Sequence, residues 1–227
     1  MKMGTIDFIF AVWYNVFKKS FIIIKGGFFV TERVYFGECA VDVFVMDIAD
    51  VQDVPITDAK RVEYIEKATD SRTRGERRAA WQLLLMGLKA RRIDPETIKI
   101  RREECGRWVS ENLCFSLSHT RDVVAVAIAD KPVGIDVEKI SERDITALSR
   151  RALTDAEREE LERLSPEDRL TRFYEIWCKK ESFFKTLGED VFLPNRIESA
   201  KTGAQSRIIE IGGKRFAVAV AVKDSEQ

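Results

Sequence analysis

Two acidic residues, Asp136 and Glu138, stand one residue apart in the apolar stretch VGIDVEKI, directly after Gly134. The apolar residues of this stretch alternate with the glycine and the acids, which predicts a strand with one buried face. Side chains two residues apart on a strand share one face, about 6–7 Å apart, so the two negative charges are neighbours. Either water solvates them at a strand edge, or they bind a divalent cation where the glycine permits close approach of the backbone.

A third acid and a lysine occur in the segment FYEIWCKKESFFKTLG, residues 173–188. Its large apolar residues recur at helical spacing, and Trp177, Glu181 and Lys185 follow at intervals of four, so they line one side of a helix. On a solvated helix surface, Glu181 and Lys185 form an ordinary ion pair that contributes about 0.2–0.5 kcal/mol. Among large aromatic residues, a carboxylate beside an ammonium group is instead what a site for a divalent cation and a phosphate requires.

The stretch FSLSHT, residues 115–120, leads into a strongly apolar segment and carries the single histidine of the chain. Alternation along a strand places Ser116 and Ser118 on one face and His119 on the other. A lone histidine is often a purely structural residue. The alternative is a binding role, because Ser118, His119 and Thr120 together offer hydroxyl, imidazole and backbone N–H groups that suit an anionic oxygen.

The elements that position these residues follow a repeating order. VVAVAIA at residues 123–129 is continuously apolar, typical of a strand buried on both faces, and RFAVAVAV at residues 215–222 resembles it. We therefore predict an α+β protein with an α/β sandwich-like fold. Its two similar α/β halves, residues 37–132 and 133–224, form a pseudo-dimer within one chain. Sites between such halves are common, and Asp136 lies near this seam.

Residues 1–36 are rich in aromatic residues and isoleucine, but Lys18, Lys19 and Lys25 interrupt them. No apolar run therefore reaches the roughly 20 residues that span a bilayer. We interpret this segment as an N-terminal extension without a catalytic part, either poorly ordered or the product of a start codon assigned too far upstream. A segment that lies on a membrane surface is the remaining alternative.

The composition narrows the classes of function. Of the 227 residues, 45% are hydrophobic and 33% are charged, which is typical of a globular protein. The 38 basic and 38 acidic residues balance, which gives no support to a general nucleic-acid binder. The four cysteines lack C-x-x-C spacing and there is one histidine, so a zinc site is disfavoured. We predict reduced thiols in a cytoplasmic protein.

Taken together, FSLSH, VGIDVEKI and FYEIWCKKESFFKTLG resemble, in order and spacing, the Sfp-type 4′-phosphopantetheinyl transferases. The most specific element is W-x-x-K-E-S-x-x-K, and the resemblance runs from about Cys39 to Val222. It implies two α/β halves with the site between them, in a pseudo-dimeric monomer. It also implies Mg²⁺-dependent transfer of 4′-phosphopantetheine from coenzyme A to a serine of an acyl or peptidyl carrier protein, with release of adenosine 3′,5′-bisphosphate. Such carriers serve fatty-acid, polyketide or nonribosomal peptide biosynthesis.

The resemblance also implies roles for individual residues. Asp136, Glu138 and Glu181 hold Mg²⁺. Lys185 contacts the pyrophosphate of coenzyme A or assists at the reacting phosphate, so Glu181 and Lys185 are the predicted catalytic residues. The general base is either Glu181 or a metal-bound water. His119 binds a phosphate of coenzyme A, specifically the 3′-phosphate.

Further basic and acidic positions follow from the same resemblance. Ser118 binds a coenzyme A phosphate alongside His119. Arg107, in ECGRWV, stands where the family usually has the lysine of G-K-P and is predicted to contact the adenine or the 3′-phosphate. One of three arginines in the basic segment 72–78 reaches a phosphate, namely Arg72, Arg74 or Arg78. Glu157 follows Thr154, the predicted cap of a helix, and resembles a further acidic position of open role.

Arg143, Arg150 and Arg151 lie just beyond the predicted carboxylate strand. They form either a basic rim for an acidic carrier protein or a solvated helix start. Two other classes of function remain as alternatives. One is another Mg²⁺-dependent phosphoryl-transfer enzyme, and the other is a non-catalytic binding module for coenzyme A or carrier proteins.

Overall fold

The structure is a computed structural model that describes residues 19–24, 27–104 and 106–223, with side chains from residue 32 onward. Residues 1–18 of the predicted extension and Cys105 lie outside the described residues. The other three cysteines, Cys39, Cys114 and Cys178, are free thiols. Among the helices of the described part, none combines the length and the apolar character needed to cross a membrane.

The first half builds a five-stranded sheet with the strand order β1-β2-β3-β7-β6, in which every neighbouring pair is antiparallel. A separate pair of short strands, β4 and β5, lies beside it. The elements in chain order are β1 (Lys19–Ile24), β2 (Gly27–Phe36), β3 (Cys39–Asp47), α1 (Ala59–Glu66), α2 (Ser71–Ala90), β4 (Ile100–Arg102), β5 (Trp108–Ser110), β6 (Cys114–His119) and β7 (Val123–Ala129).

The second half repeats the order of strand, helices and hairpin. Its three-stranded antiparallel sheet has the order β8-β10-β9. The elements are β8 (Val133–Lys139), α3 (Thr146–Ala152), α4 (Asp155–Glu162), α5 (Pro166–Leu187), β9 (Gln205–Ile211) and β10 (Lys214–Val222). Thr154 caps α4 in a capping box with Glu157, as the sequence predicts.

The two sheets pack face to face, and a long helix covers the outer face of each. Along β3, Val41, Val43 and Val45 pack against the second sheet, whereas Phe44 and Met46 pack beneath α2. Strand β7 is buried on both faces, as predicted. In the second half, α5 packs against the outer face of β8 and β10. The α+β, sandwich-like prediction of two similar α/β halves is confirmed.

The predicted boundary at residue 36 does not coincide with a break in the structure. Strand β2 pairs with β3 along Phe29–Phe36, and the two-residue turn between them contains Gly37 at a φ of +57°. Glycine adopts this left-handed conformation at little cost, which permits the tight hairpin. The Gln205 side-chain amide also donates to the Tyr35 carbonyl oxygen (2.9 Å), which ties β2 to β9. Residues 27–36 are therefore part of the sheet.

Side-chain hydroxyl groups join the two sheets at the seam. Strands β6 and β8 are edge strands of different sheets and lie side by side. The Ile135 N–H donates to Ser116 Oγ (3.1 Å), and the Val137 N–H donates to Ser118 Oγ (3.3 Å). These bonds satisfy buried donors of an edge strand that has no backbone partner on that side. They fix the register of β8, and with it the position of Asp136.

Candidate active site

A cavity of about 310 Å³ opens at the seam between the halves. The first half contributes Arg107 and His119 to its wall, and the second half contributes Lys185 and Gly188 at the end of α5. Four aromatic residues also line the wall on the side of the first half, namely Tyr64, Trp81, Trp108 and Phe115. Three of the residues predicted to bind coenzyme A therefore meet here, although they come from segments far apart in the sequence.

Asp136 lies beside this cavity and is 5% exposed. Its Oδ1 accepts hydrogen bonds from Ser118 Oγ (2.9 Å) and from Lys185 Nζ (2.8 Å). Lys185 Nζ also donates to the Ile135 carbonyl oxygen (2.9 Å). The second oxygen of Asp136, Oδ2, is buried and has no hydrogen-bond partner among the described residues. A buried carboxylate oxygen without a donor is unusual, and such an oxygen is free to accept from water or to bind a cation.

The close approach of α5 to β8 depends on Gly134. A Cβ atom built on Gly134 would lie 1.8 Å from the carbonyl oxygen of Ser182 and 3.0 Å from Cβ of Lys185. No side chain fits there, because the obstacle is the backbone of α5 itself. The glycine ahead of the two acids thus does permit close backbone approach, and what approaches is the helix that carries Glu181 and Lys185.

Glu138 and Glu181 are half-buried and near enough to Asp136 for mutual repulsion. Burial is the main cause that raises the pKa of Glu138 to about 7, and Asp136 adds to it, while a hydrogen bond from Trp177 opposes the rise. Burial and then Asp136 raise the pKa of Glu181 to about 6. For Lys185, burial would lower the pKa, but the neighbouring Asp136 carboxylate outweighs it and the pKa is raised. The raised pKa values indicate that nearby positive charge compensates the negative charges of Glu138 and Glu181 only in part.

The three carboxylates are not assembled into a metal shell in this structure. Within the described ranges, no group of three or more His, Cys, Asp and Glu side chains is arranged to hold a metal ion. The ammonium group of Lys185 lies against Asp136. The chemistry of the donors nevertheless fits a hard cation, since oxygen ligands of high charge density are what Mg²⁺ prefers and Asp136 Oδ2 is unsatisfied. The metal assignment of Asp136, Glu138 and Glu181 stays a prediction.

The two residues predicted to bind phosphate in FSLSHT are placed differently. His119 lines the cavity, and 34% of its side chain is exposed. Ser118 is 7% exposed, and its hydroxyl is engaged by Asp136 and by the Val137 N–H. Ser118 therefore supports the Asp136 carboxylate and does not line the cavity. Ser116, which lies on the same face of β6, contributes to the cavity wall instead.

The arginine that reaches the cavity from α2 is Arg77, not one of the three predicted. Arg74 and Arg78 form ion pairs with Glu66, and Arg72 lies 3.7 Å from Glu76. Arg77 lines the cavity and donates to the Tyr64 carbonyl oxygen (2.9 Å), with its guanidinium 4.3 Å from the Tyr64 ring centroid. The rotation of α2 about its axis decides which arginine faces the cavity. Several arginines lie close together in this segment, so the sequence alone does not predict which one it is.

Arg107 reaches the cavity from the loop before β5. Its Nε donates to Glu103 Oε2 (3.0 Å). The guanidinium lies against Gly188, where an added Cβ would be 3.1 Å from Nη2. Gly188 follows the last turn of α5 with a φ of +72°, and the partial negative charge at a helix C-terminus favours a cation there. The prediction that Arg107 lies at the site is compatible with this position.

Glu157 has a structural partner that the sequence analysis did not identify. Lys180 is fully buried, and its Nζ donates to Glu157 Oε2 (2.5 Å) and to the carbonyl oxygens of Ala152 (2.8 Å) and Pro194 (3.0 Å). Neither residue lines the cavity. The signal in the sequence is spacing: Lys180 follows Phe173 by seven residues and Ile176 by four, which places it on the buried face of α5.

The predicted basic rim is exposed. Arg143, Arg150 and Arg151 have no ion-pair partner within the described part of the chain, so their charges are available to a partner. Arg143 borders a surface groove of about 920 Å³ together with Lys214 and Arg215. Acidic residues also border this groove, for example Glu142 and Glu167. The geometry is compatible with both interpretations of these arginines.

Comparisons with known proteins agree with this geometry. A family model described as the 4′-phosphopantetheinyl transferase superfamily matches residues 132–225, which include the three carboxylates. The 4′-phosphopantetheinyl transferase gsp of Aneurinibacillus migulanus is 34% identical over 103 residues, which are 45% of this chain and 43% of that protein. A 4′-phosphopantetheinyl transferase of Bacillus subtilis is 31% identical over 109 residues, 47% of this chain and 48% of that protein.

The match to these two relatives thus covers less than half of their length. A longer match is found with the 4′-phosphopantetheinyl transferase AcpT of Salmonella typhimurium, which is 32% identical over 136 residues. That match covers 58% of this chain and 70% of AcpT. With a shared motif order, a doubled α/β fold and a relative matched over most of its length, the chain belongs to the 4′-phosphopantetheinyl transferase superfamily.

Proposed function

We propose that this protein transfers 4′-phosphopantetheine from coenzyme A to a serine of an acyl or peptidyl carrier protein and releases adenosine 3′,5′-bisphosphate. One observation carries the proposal: the Asp136–Lys185 pair, with Glu138 and Glu181 beside it, borders a seam cavity rich in cationic groups. A substrate with a diphosphate and a further phosphate needs such charges, and the membership of the chain in the superfamily supports the same reaction.

The cavity residues suit the two ends of coenzyme A. Arg77, Arg107 and His119 supply donors for phosphate oxygens on the side of the first half. The rings of Tyr64 and Trp108 offer apolar surface for a purine. Lys185 projects from the second half, beside the carboxylates, so the diphosphate is proposed to lie between this lysine and the arginines.

Lys185 is proposed to stabilise negative charge on the leaving group. Its ammonium is held charged by Asp136, and it is about a quarter exposed (28%), so it is partly shielded from water. A fixed cation in a poorly solvated site stabilises developing charge more strongly than one in water. Asp136, Glu138 and Glu181 would hold Mg²⁺, which when bound supplies further positive charge at the pyrophosphate oxygens.

The attacking serine hydroxyl must lose its proton. Glu181 is the base that we propose, because it is a half-buried carboxylate beside the Asp136–Lys185 pair. A water molecule at the site is the alternative. The serine oxygen attacks the β-phosphorus of coenzyme A, the bond from that phosphorus to the bridging oxygen breaks, and adenosine 3′,5′-bisphosphate leaves with the bridging oxygen.

The test is to incubate the protein with an apo carrier protein, coenzyme A and Mg²⁺ and to look for phosphopantetheine on the carrier by mass spectrometry. Carriers from fatty-acid, polyketide and peptide synthases define the substrate range. We expect transfer by the wild type and none by Asp136→Ala, whose fold is checked by circular dichroism. Hydrolysis of coenzyme A without carrier modification would indicate another phosphoryl-transfer enzyme, and binding without turnover would indicate a binding module. Normal transfer by folded Asp136→Ala would contradict the metal assignment.

A further inference from the structure

Helix α2 carries a buried carboxylate that the proposed mechanism does not use. The side chain of Glu76 is 11% exposed, and its Oε2 lies 3.3 Å from Nδ1 of His119. The remaining neighbour is Arg72, whose Nε is 3.7 Å from Oε1 and whose side chain is 60% exposed. A carboxylate that is largely removed from water requires a positive or hydrogen-bonding partner, and the contact with His119 is the shorter of the two.

One of the two ring nitrogens of His119, Nδ1, makes this contact. In a neutral imidazole one nitrogen carries the proton, and the hydrogen bond made by the other side of the ring decides which. The contact has the distance of an ion pair and not the geometry of an aligned hydrogen bond. Because a carboxylate can only accept, its negative charge favours a proton on Nδ1, the ring nitrogen that faces it. The second nitrogen, Nε2, is then the one left for a ligand in the cavity that His119 lines.

We propose that Glu76 is a positioning residue for His119, fixing the ring with Nδ1–H toward Glu76 and Nε2 available to a phosphate group of the substrate. The proposal rests on the proposed function, which supplies that phosphate. When the phosphate is bound, the ring donates through both nitrogens, and the negative charge of Glu76 stabilises the imidazolium that this requires.

The surroundings of His119 make this support necessary. Burial lowers the pKa of His119, and the nearby cations Arg77 and Lys185 lower it further. Of the groups that raise the pKa of His119, Glu76 contributes most and Asp136 contributes less. Without Glu76, the positive charges of Arg77 and Lys185 disfavour protonation of the ring more strongly.

Kinetics separate a positioning role from a structural one. Glu76→Gln keeps an oxygen that can accept from Nδ1 but removes the charge, and we expect KM for coenzyme A to rise about tenfold with kcat nearly unchanged. In a His119→Ala background the same substitution should change KM less than about twofold, because its effect acts through the ring. Glu66→Gln is the matched control, since Glu66 pairs with Arg74 and Arg78, and we expect KM to be unchanged.

The single histidine of the chain allows a test that needs no activity. In a ¹⁵N-labelled protein, long-range proton–nitrogen spectra above neutral pH assign the protonated ring nitrogen. We expect Nδ1–H in the wild type and in Glu76→Gln, and a shift toward Nε2–H in Glu76→Ala. An Nε2–H ring in the wild type overturns the proposal even if transfer occurs. An unchanged KM for Glu76→Gln, or an equal rise in the His119→Ala background, overturns it as well. Absence of transfer by the wild type refutes the proposed function, while the spectra still decide the role of Glu76.

Discussion

The buried ion pair between Lys180 and Glu157 provides the most direct test of the architecture that supports the site. Lys180→Met removes the ammonium group and keeps a side chain of similar length in a position that is 0% exposed. Glu157, with 9% of its side chain exposed, then becomes a buried charge without a cation. Breaking a buried pair in this way costs about 3–5 kcal/mol, because the remaining charge stays desolvated.

Two features of the structure set this magnitude. Glu157 keeps its hydrogen bonds from the backbone N–H groups of Thr154 (2.9 Å) and Ser199 (2.8 Å), so the carboxylate is not left wholly unsatisfied. On the other side, the carbonyl oxygen of Ala152 loses the donor Lys180, which adds to the loss, whereas the carbonyl oxygen of Pro194 still accepts from the Ile197 N–H (3.1 Å). For a chain of this size, 3–5 kcal/mol corresponds to a decrease in Tm of about 6–20 °C.

The assay is unfolding by urea, followed by circular dichroism, of the wild type, Lys180→Met, Glu157→Gln and the double variant. The double variant should lose less than the sum of the single losses, because the second substitution removes the charge that the first left unpaired. Lys179→Met is the matched control, as it makes the same change one residue away at a partly exposed position, and we expect a change within about 0.5 kcal/mol. A loss below about 1 kcal/mol for Lys180→Met would refute the reasoning.

The same pair predicts the acid dependence of stability. Burial would raise the pKa of Glu157, but the hydrogen bonds from Lys180 and from the Ser199 and Thr154 N–H groups outweigh it, so the pKa lies below the ordinary value of 4.5. A carboxyl group with a lowered folded-state pKa contributes stability above pH 4.5 that is lost as the pH falls through the folded-state value. We expect the stability of Lys180→Met to fall less steeply than that of the wild type in this acidic range.

Three further predictions concern the approach of α5, the cavity and the partner surface. Gly134→Ala should destabilise the protein by about 3 kcal/mol or more in urea unfolding, because the added Cβ meets the backbone of α5. Gly75→Ala should instead stabilise the protein by about 0.5–1 kcal/mol, because Gly75 lies in α2 with open space around its Cβ position. Arg107→Ala should raise KM for coenzyme A about tenfold, while Arg78→Ala should not change it; equal effects would remove Arg107 from the site. Charge reversal at the three arginines of the basic rim should raise KM for the carrier protein and leave coenzyme A binding unchanged; no change in either would exclude the rim.

The register of the two sheets identifies the residue of the first half that corresponds to Asp136 in the second half. Asp136 on β8 faces Ala219 of β10, and Phe44 on β3 faces Val126 of β7. Ala219 and Val126 occupy the same position in the similar strands FAVAVAV and VVAVAIA. The counterpart of Asp136 in the first half is therefore Phe44, an apolar residue buried beneath α2. The first half therefore offers no carboxylate at the position that Asp136 occupies in the second half.

The sequence by itself determined the elements and their faces. The alternation in VGIDVEKI places Asp136 and Glu138 on the face opposite to Ile135 and Val137, as observed. The continuous apolar run of β7, the cap of α4 and the motif of α5 are all local patterns. Such patterns suffice because period and capping depend on residues a few positions apart. They also supported assignment to the superfamily.

Only the tertiary structure decided which polar groups meet. Lys185 pairs with Asp136, 49 residues away, rather than with Glu181 on its own helix, because Gly134 lets α5 approach β8. The hydroxyl of Ser118 donates to Asp136 across the seam instead of facing the cavity. The rotation of α2 about its axis turns Arg77 toward the cavity. Each of these outcomes depends on the packing of elements distant in sequence, and periodicity within one element contains no information about its neighbour across the seam.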